Sequence, residues 1–453
     1  MKTMNPTPSA LLADLYELTM AAGYVESGFE ANATFELFVR SLPPQRNFLV
    51  AAGLQQALEF LENARFSADE IAYLRRHPAF AQIGAKFFDY LASFRFSGEV
   101  LAMPEGTVCF PEEPLLRVTA PIAEAQLVET ALLAIVNFQT MIASKAVRIA
   151  AAAAGRPVVE FGARRGHGTE ASLLAARAAF IGGCLGTSNA EAGYLFDVPT
   201  YGTQAHSWIM AHETEEQAFA HFLDLFPQHS VLLLDTYDVR AAIEKVIAIG
   251  RKPRGVRLDS GDMAADSIWV RRRLDEAGWG DVEIFFSGEL NEERIGSLLA
   301  AGARVDTFGV GTALAVSPDA PSLGVLYKLV EIEINGNVRE AAKFSAAKVT
   351  YPGRKQVVRS ANDAGMYTGD LIVLEGEVVA GGEPLLVPVM HGGRVLAPAP
   401  PLIASQQRCQ AQVRCLRENL RGTSVASEVY SVRHSARLET MLEQVRRRLV
   451  PVQ

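Results

Sequence analysis

Between Pro157 and Leu314, the residues able to do chemistry fall just after short apolar runs. Phe161, Arg164 and Arg165 follow the first run, and Thr187, Ser188 and Asn189 the second. Thr203 and His206 come after "PTYG", Asp235 and Asp238 after "VLLL", and Arg257, Asp259 and Asp262 in and after "GVRL". Gly288 with Glu289, then Gly309, Gly311 and Thr312, complete the series. A phosphorylated ligand could use each type. The "GVGT" turn offers backbone N–H groups and a hydroxyl to a phosphate. Asp235 and Asp259 are hard oxygen donors, suited to Mg2+ carried in with a polyphosphate or to ribose hydroxyls. Arg164, Arg165 and Arg257 supply forked donors for carboxylate or phosphate oxygens. Phe161 presents a flat apolar face to an aromatic ring. Taken singly, glycine and aspartate form turns, and aspartate caps the next helix. Taken together they describe a pocket for a phosphorylated sugar, a diphosphate, a metal and a small aromatic acid.

The elements that must position these residues alternate. β-branched runs such as "PVVEF", "VLLLD", "GVRLD", "VEIFF" and "VDTFG" are each followed by an amphipathic stretch, as in "VRAAIEKVIAIG" and "NEERIGSLLAAG". Thr214 with Gln217 has the spacing of a capping box, and Gly250, Gly278 and Gly302 stand where helices should stop. Seven such units, with strands apolar on both faces, predict an irregular parallel α/β barrel of the TIM type. A doubly wound open sheet is the competitor, weakened because no GxGxxG opens the first unit. The flanks differ: "GEVLAMPEGTVCFPEEPLLRVTAPI" and the stretch 325–395 read as strands and turns. The reading is therefore two domains. Residues 126–334 form the barrel, and residues 1–125 with 335–453 form a second, smaller α/β domain from both chain ends.

Bulk properties narrow the function class. A length of 453 residues is too great for one small core, and 49% hydrophobic with 21% charged residues excludes a disordered chain. A net charge of −8 gives no electrostatic footprint for nucleic acid or an anionic membrane. The four cysteines form no CxxC pair, which argues against zinc or a disulfide framework and for a reducing, cytoplasmic setting. The most apolar stretch, "ALLAIVNFQTMIASKAVRIAAAAAG", carries Lys145 and Arg148 and is expected to be a buried helix, not a span.

Several motifs in one order resemble the nicotinate phosphoribosyltransferase family: "DLYELTMAAGY", "EFGARRG", "GTSNAEAG", "GTQAHSW", "LLLDTYD", "VRLDSGD", "GVGTAL" and "GVLYKLVE". The resemblance runs from Asp14 to about Arg359. It implies a barrel-like α/β domain beside a smaller one, and an active site shared across a homodimer. The implied reaction joins nicotinate and 5-phosphoribosyl 1-diphosphate to give nicotinate mononucleotide and diphosphate in NAD biosynthesis, with ATP as co-substrate and Mg2+ as cofactor. His206 would be the residue phosphorylated by ATP, and imidazole is a competent nucleophile where a serine or asparagine would not be. Tyr16 would reach over the nicotinate of the partner subunit, opposite Phe161. Thr203 and Arg257 would contact nicotinate, Arg164 the sugar diphosphate, and Gly311 and Thr312 the 5′-phosphate. Gly288 lies in a substrate loop where Glu289 replaces a commoner aspartate. Asp235 and Asp259 would face Mg2+ or the ribose. Ser188 is neutral where the nicotinamide-using relatives carry an aspartate, which favours nicotinate. The basic run Lys343, Lys348, Lys355 and Arg359 either closes over diphosphate or ATP or forms a solvated edge. The alternatives are a nicotinamide phosphoribosyltransferase, a quinolinate enzyme, a sugar-phosphate barrel lyase or a non-catalytic binder.

Overall fold

The computed structural model describes residues 9–345 and 348–450, and the chain divides into two compact units, Ile142–Pro321 and a discontinuous one drawn from both ends. Within Ile142–Pro321, six short strands pair side by side and all in parallel: Gly186–Thr187, Val158–Glu160, Thr307–Val310, Glu283–Phe286, Gly255–Leu258 and Val231–Leu233. That spatial order is the cyclic order of a barrel and not the split order of a doubly wound sheet. The ring does not close. Among the described residues no ladder joins Gly186–Thr187 to Val231–Leu233, so the sheet is open where a seventh strand was expected. The "PTYG" piece contributes one bridge, Thr187 to Thr200, in which Thr187 N donates to Pro199 O and Tyr201 N to Thr187 O. Proline cannot donate to a ladder, and Gly202 follows directly, so pairing stops after a single residue.

Alternation along the strands has two faces. Val256, Leu258, Ile284, Phe308 and Val310 are wholly buried, whereas the intervening Val159, Arg257, Phe285, Thr307 and Gly309 line a cavity. Helix ends follow local chemistry. Asp238 accepts from Ala241 N and Asp262 from Ala265 N, so these two aspartates cap helices and are not free ligands. Thr214 accepts from Gln217 N, which is one half of the expected box. Gly250, Gly278 and Gly302 adopt φ of 71°, 77° and 80° just past their helices.

The unit built from both ends is the larger of the two, and its main sheet has seven strands, all antiparallel. At its centre Asn32–Val39 pairs with Val325–Ile334 and Pro114–Pro121, which brings the two chain halves together. Glu129–Ala152 is long and apolar enough to cross a membrane, yet 67% of its most apolar window is buried. Its basic residues are paired: Lys145 Nζ lies 2.6 Å from Glu292 and 2.9 Å from Asp319, and Arg148 Nε 3.0 Å from Glu292. It is a core helix.

Candidate active site

A cavity of about 230 Å3 lies on the inner face of the curled sheet, walled by Phe161, Thr203, Arg257, Phe285 and Gly309 among others. Phe161 lies against Gly309 because glycine leaves room there. A Cβ at 309 would stand 2.5 Å from the Phe161 ring. Arg257 Nη1 donates to Thr203 Oγ1 at 2.6 Å, tying the fifth strand of the series to the loop after the Thr200 bridge. Arg257 Nε is buried with no partner among the described residues. Burial lowers the guanidinium's pKa, partly offset by Asp259 and Asp235, but it stays a cation at neutral pH. The pocket thus pairs a flat aromatic wall with a fixed positive charge.

The carboxyl ends of the strands carry a polar rim. Asp235 Oδ2 accepts from Asp259 N at 3.0 Å and from Ser260 Oγ at 2.6 Å, while Asp235 Oδ1 is buried without a partner among the described residues. Asp259 Oδ1 accepts from Ser287 Oγ, and Gly288, at φ 98°, packs directly on the Asp259 carbonyl. The His206 ring opens the helix His206–Met210. Its Nδ1 lies 3.2 Å from Thr236 Oγ1, and its Nε2 faces Asp259 Oδ2 at 3.9 Å. Gly311 packs against the Phe161 carbonyl, and Thr312 begins the five-residue helix Thr312–Val316. Arg164 sits exposed in a 3-10 turn, close enough to repel Arg257.

Residues 11–137 match the family model for the nicotinate phosphoribosyltransferase N-terminal domain, and residues 157–368 the model for the family itself. A nicotinate phosphoribosyltransferase of Mycobacterium tuberculosis is 45% identical over 444 residues, covering 96% of this chain and 94% of its own. The chain belongs to the nicotinate phosphoribosyltransferase family. A Bacillus subtilis member is 42% identical over 381 residues, covering 82% of this chain and 77% of its own. The crystal structure of human nicotinic acid phosphoribosyltransferase superposes with a TM-score of 0.83 at 27% identity, covering 95% and 99% of the two chains.

Not every residue expected from the family resemblance gathers here. Ser188 is exposed, donates its N–H to Glu160 O, and does not line the cavity. Tyr16 belongs to the other unit, half-exposed on the helix Leu15–Ser27. Lys355 and Arg359 are buried in that unit and do not form a diphosphate clamp. Lys355 Nζ lies 2.7 Å from Glu36, and Arg359 Nη2 2.6 Å from Asp370. Lys343 is exposed, and the side chain of Lys348 lies outside the described residues.

Sequence reasoning also missed a residue. Glu160 is fully buried behind the site and accepts from Thr187 Oγ1 at 2.6 Å and from Gly162 N, so one carboxylate holds two active-site loops. Burial raises its pKa, against those two bonds. The only sequence signal was an acid interrupting the apolar run "PVVEF". Gln204 was missed too; among the described residues its buried side-chain amide has neither nitrogen nor oxygen paired, beside Thr203.

Proposed function

We propose that the Phe161–Arg257 pocket holds nicotinate, and that the rim above it handles 5-phosphoribosyl 1-diphosphate and ATP. The chain is an enzyme of the nicotinate phosphoribosyltransferase family, which is generally ATP-dependent and works in NAD biosynthesis. One observation supports the substrate reading: a guanidinium whose buried Nε is a spare donor beside an aromatic face. A planar ring with a carboxylate satisfies both, whereas a neutral amide leaves the charge unmatched. This puts the choice of nicotinate over nicotinamide on Arg257 and not on Ser188.

The pyridine nitrogen attacks the sugar C1 with a lone pair that carries no proton, as the bond from C1 to diphosphate breaks. No general base is needed. Positioning by Phe161, Thr203 and Arg257, with Gly311 and Thr312 for the 5′-phosphate and Arg164 for the diphosphate, supplies the catalysis. Asp235 and Asp259 fit Mg2+ by donor type and by the orphaned Asp235 Oδ1. Bound there with substrate oxygens and water, Mg2+ would neutralise the leaving diphosphate. His206 Nε2 would accept the γ-phosphoryl of ATP: an N–P bond forms as the bond to the bridging oxygen breaks, and ADP leaves. Thr236 holds Nδ1 and so aims the ring.

A cytoplasmic homodimer is part of the proposal. Tyr16 and Met20 stand four residues apart on the helix Leu15–Ser27 and are 46% and 39% exposed, an apolar pair on one helix face suited to a partner subunit. Purified protein with Mg2+, phosphoribosyl diphosphate and nicotinate should make nicotinate mononucleotide, faster with ATP, and nicotinamide should compete poorly. His206→Asn should abolish phosphoenzyme and ATP stimulation while leaving basal transfer. A folded His206→Asn protein that still takes label from ATP, or that loses basal transfer outright, would refute the coupling role.

A further inference from the structure

Two histidines close to the site take no part in the proposed chemistry. His212 lies in the turn after the helix His206–Met210, and His221 lies on the next helix, Glu215–Leu225. His212 Nε2 and His221 Nδ1 stand 3.1 Å apart, with ring centroids 5.1 Å apart and planes at 61°. His212 Nδ1 lies 2.7 Å from the Trp208 carbonyl oxygen. A carbonyl only accepts, so that nitrogen carries the proton, and the neutral ring presents a lone pair at Nε2. His221 is exposed and His212 half-buried, so solvent reaches the gap between them.

We propose that His212 and His221 form a two-imidazole site for a borderline transition-metal ion of the Zn2+, Cu2+ or Ni2+ class. Nitrogens bound at about 2.05 Å stand roughly 3.3 Å apart in a tetrahedron and roughly 2.9 Å apart at a right angle. The observed 3.1 Å lies between these, so the spacing needs little change, and each ring would turn by roughly 40° from the present hydrogen bond to aim its lone pair at the ion. The carbonyl behind Nδ1 is the outer-shell partner that fixes a metal-binding imidazole in the required tautomer. As the ion binds, the proton on His221 Nδ1 leaves to solvent and one is taken up at Nε2, so both rings remain neutral. Among the described residues no group of three or more His, Cys, Asp or Glu gathers for a metal, so water completes this shell. Imidazole nitrogen does not suit Mg2+, which keeps this site separate from the Asp235–Asp259 oxygen pair. An ion here would clamp the far end of the helix that begins with His206 onto the Glu215–Leu225 helix.

The structure supplies its own reporter. The Trp208 ring centroid lies 4.8 Å from that of His212, and its Nε1 donates to Ala218 O at 3.0 Å. The full chain, purified without a histidine tag, should be titrated with Cu2+ while tryptophan fluorescence is followed. The expected result is saturable quenching, reversed by chelator, competed by Zn2+ and untouched by millimolar Mg2+. His221→Asn, on an exposed helix face, should weaken the midpoint at least about tenfold by removing the chelating partner, and His212→Asn should do the same. An unchanged midpoint in His221→Asn protein that melts like the parent would overturn the proposal. So would the absence of saturable quenching in the parent.

Discussion

Gly309→Ala isolates the aromatic wall of the pocket. The added Cβ would stand 2.5, 2.6 and 3.3 Å from three Phe161 ring atoms, whereas ordinary contact begins near 3.4 Å. Gly309 lies inside the strand Thr307–Val310 and is absent from the positive-φ positions, so alanine brings no backbone strain. The whole effect falls on the ring, which must move by about an ångström. Phe161 is half-buried and can swing into the cavity, so the overpacking cost should sit near the low end of about 1–3 kcal/mol. A displaced ring cannot stack on the substrate. Losing about 0.5–1.5 kcal/mol of ring–ring interaction raises the nicotinate KM roughly 2- to 13-fold. Initial rates at saturating phosphoribosyl diphosphate measure this, and that co-substrate's own KM should not move. In a Phe161→Ala background, Gly309→Ala should add almost nothing, because every ring atom that it would meet has gone. An unchanged nicotinate KM with an unchanged melting temperature would refute both the packing argument and the ring's role.

Three further outcomes are expected. Gly296 lies exposed in the helix Glu292–Ala300, and an added methyl there would meet nothing within 4 Å, so Gly296→Ala should stabilise by roughly 0.5–1 kcal/mol in thermal melts. Glu113 is fully buried, and burial, then Asp370, pushes its pKa well above the ordinary 4.5. A raised carboxyl pKa contributes stability below the unfolded value and loses it as pH rises toward the folded one, so Glu113→Gln should gain on the parent as denaturation is measured from pH 4.5 upward. Arg359 donates to Asp370, Val108 O and Gln412 with almost no exposure, so Arg359→Ala should cost about 3–5 kcal/mol in denaturant titrations. Arg359→Lys, if folded, should leave the phosphoribosyl diphosphate KM unchanged.

What could be read from the sequence was what depends on neighbours in the chain. The alternation of apolar runs with amphipathic stretches foretold the parallel sheet, and Arg257 with Thr203 and Phe161 does meet in one cavity. The turn glycines past the helices also behave as their spacing suggested. What depended on distant partners was hidden. Lys355 looked solvated because its partner Glu36 is 319 residues away, and Arg359 because nothing nearby marks Asp370 as buried. Closure of the ring is likewise a long-range property, and a proline and a glycine around Thr200 were enough to reduce a strand to one bridge. Asp238 and Asp262 cap the helices that follow them, the local role that an aspartate just after a strand already suggested.

That single bridge at Thr200 has a mechanical result. Only two residues separate Thr203, gripped by Arg257, from the imidazole of His206, and among the described residues no ladder anchors the intervening chain. A carboxylate taken up at the spare Nε would draw on the same guanidinium that holds this short leash, so a shift of Arg257 at one end would bear on the ring at the other, set against Thr236 and Asp259. Filling of the aromatic cavity would then be felt by the phosphoryl acceptor without any movement of the sheet.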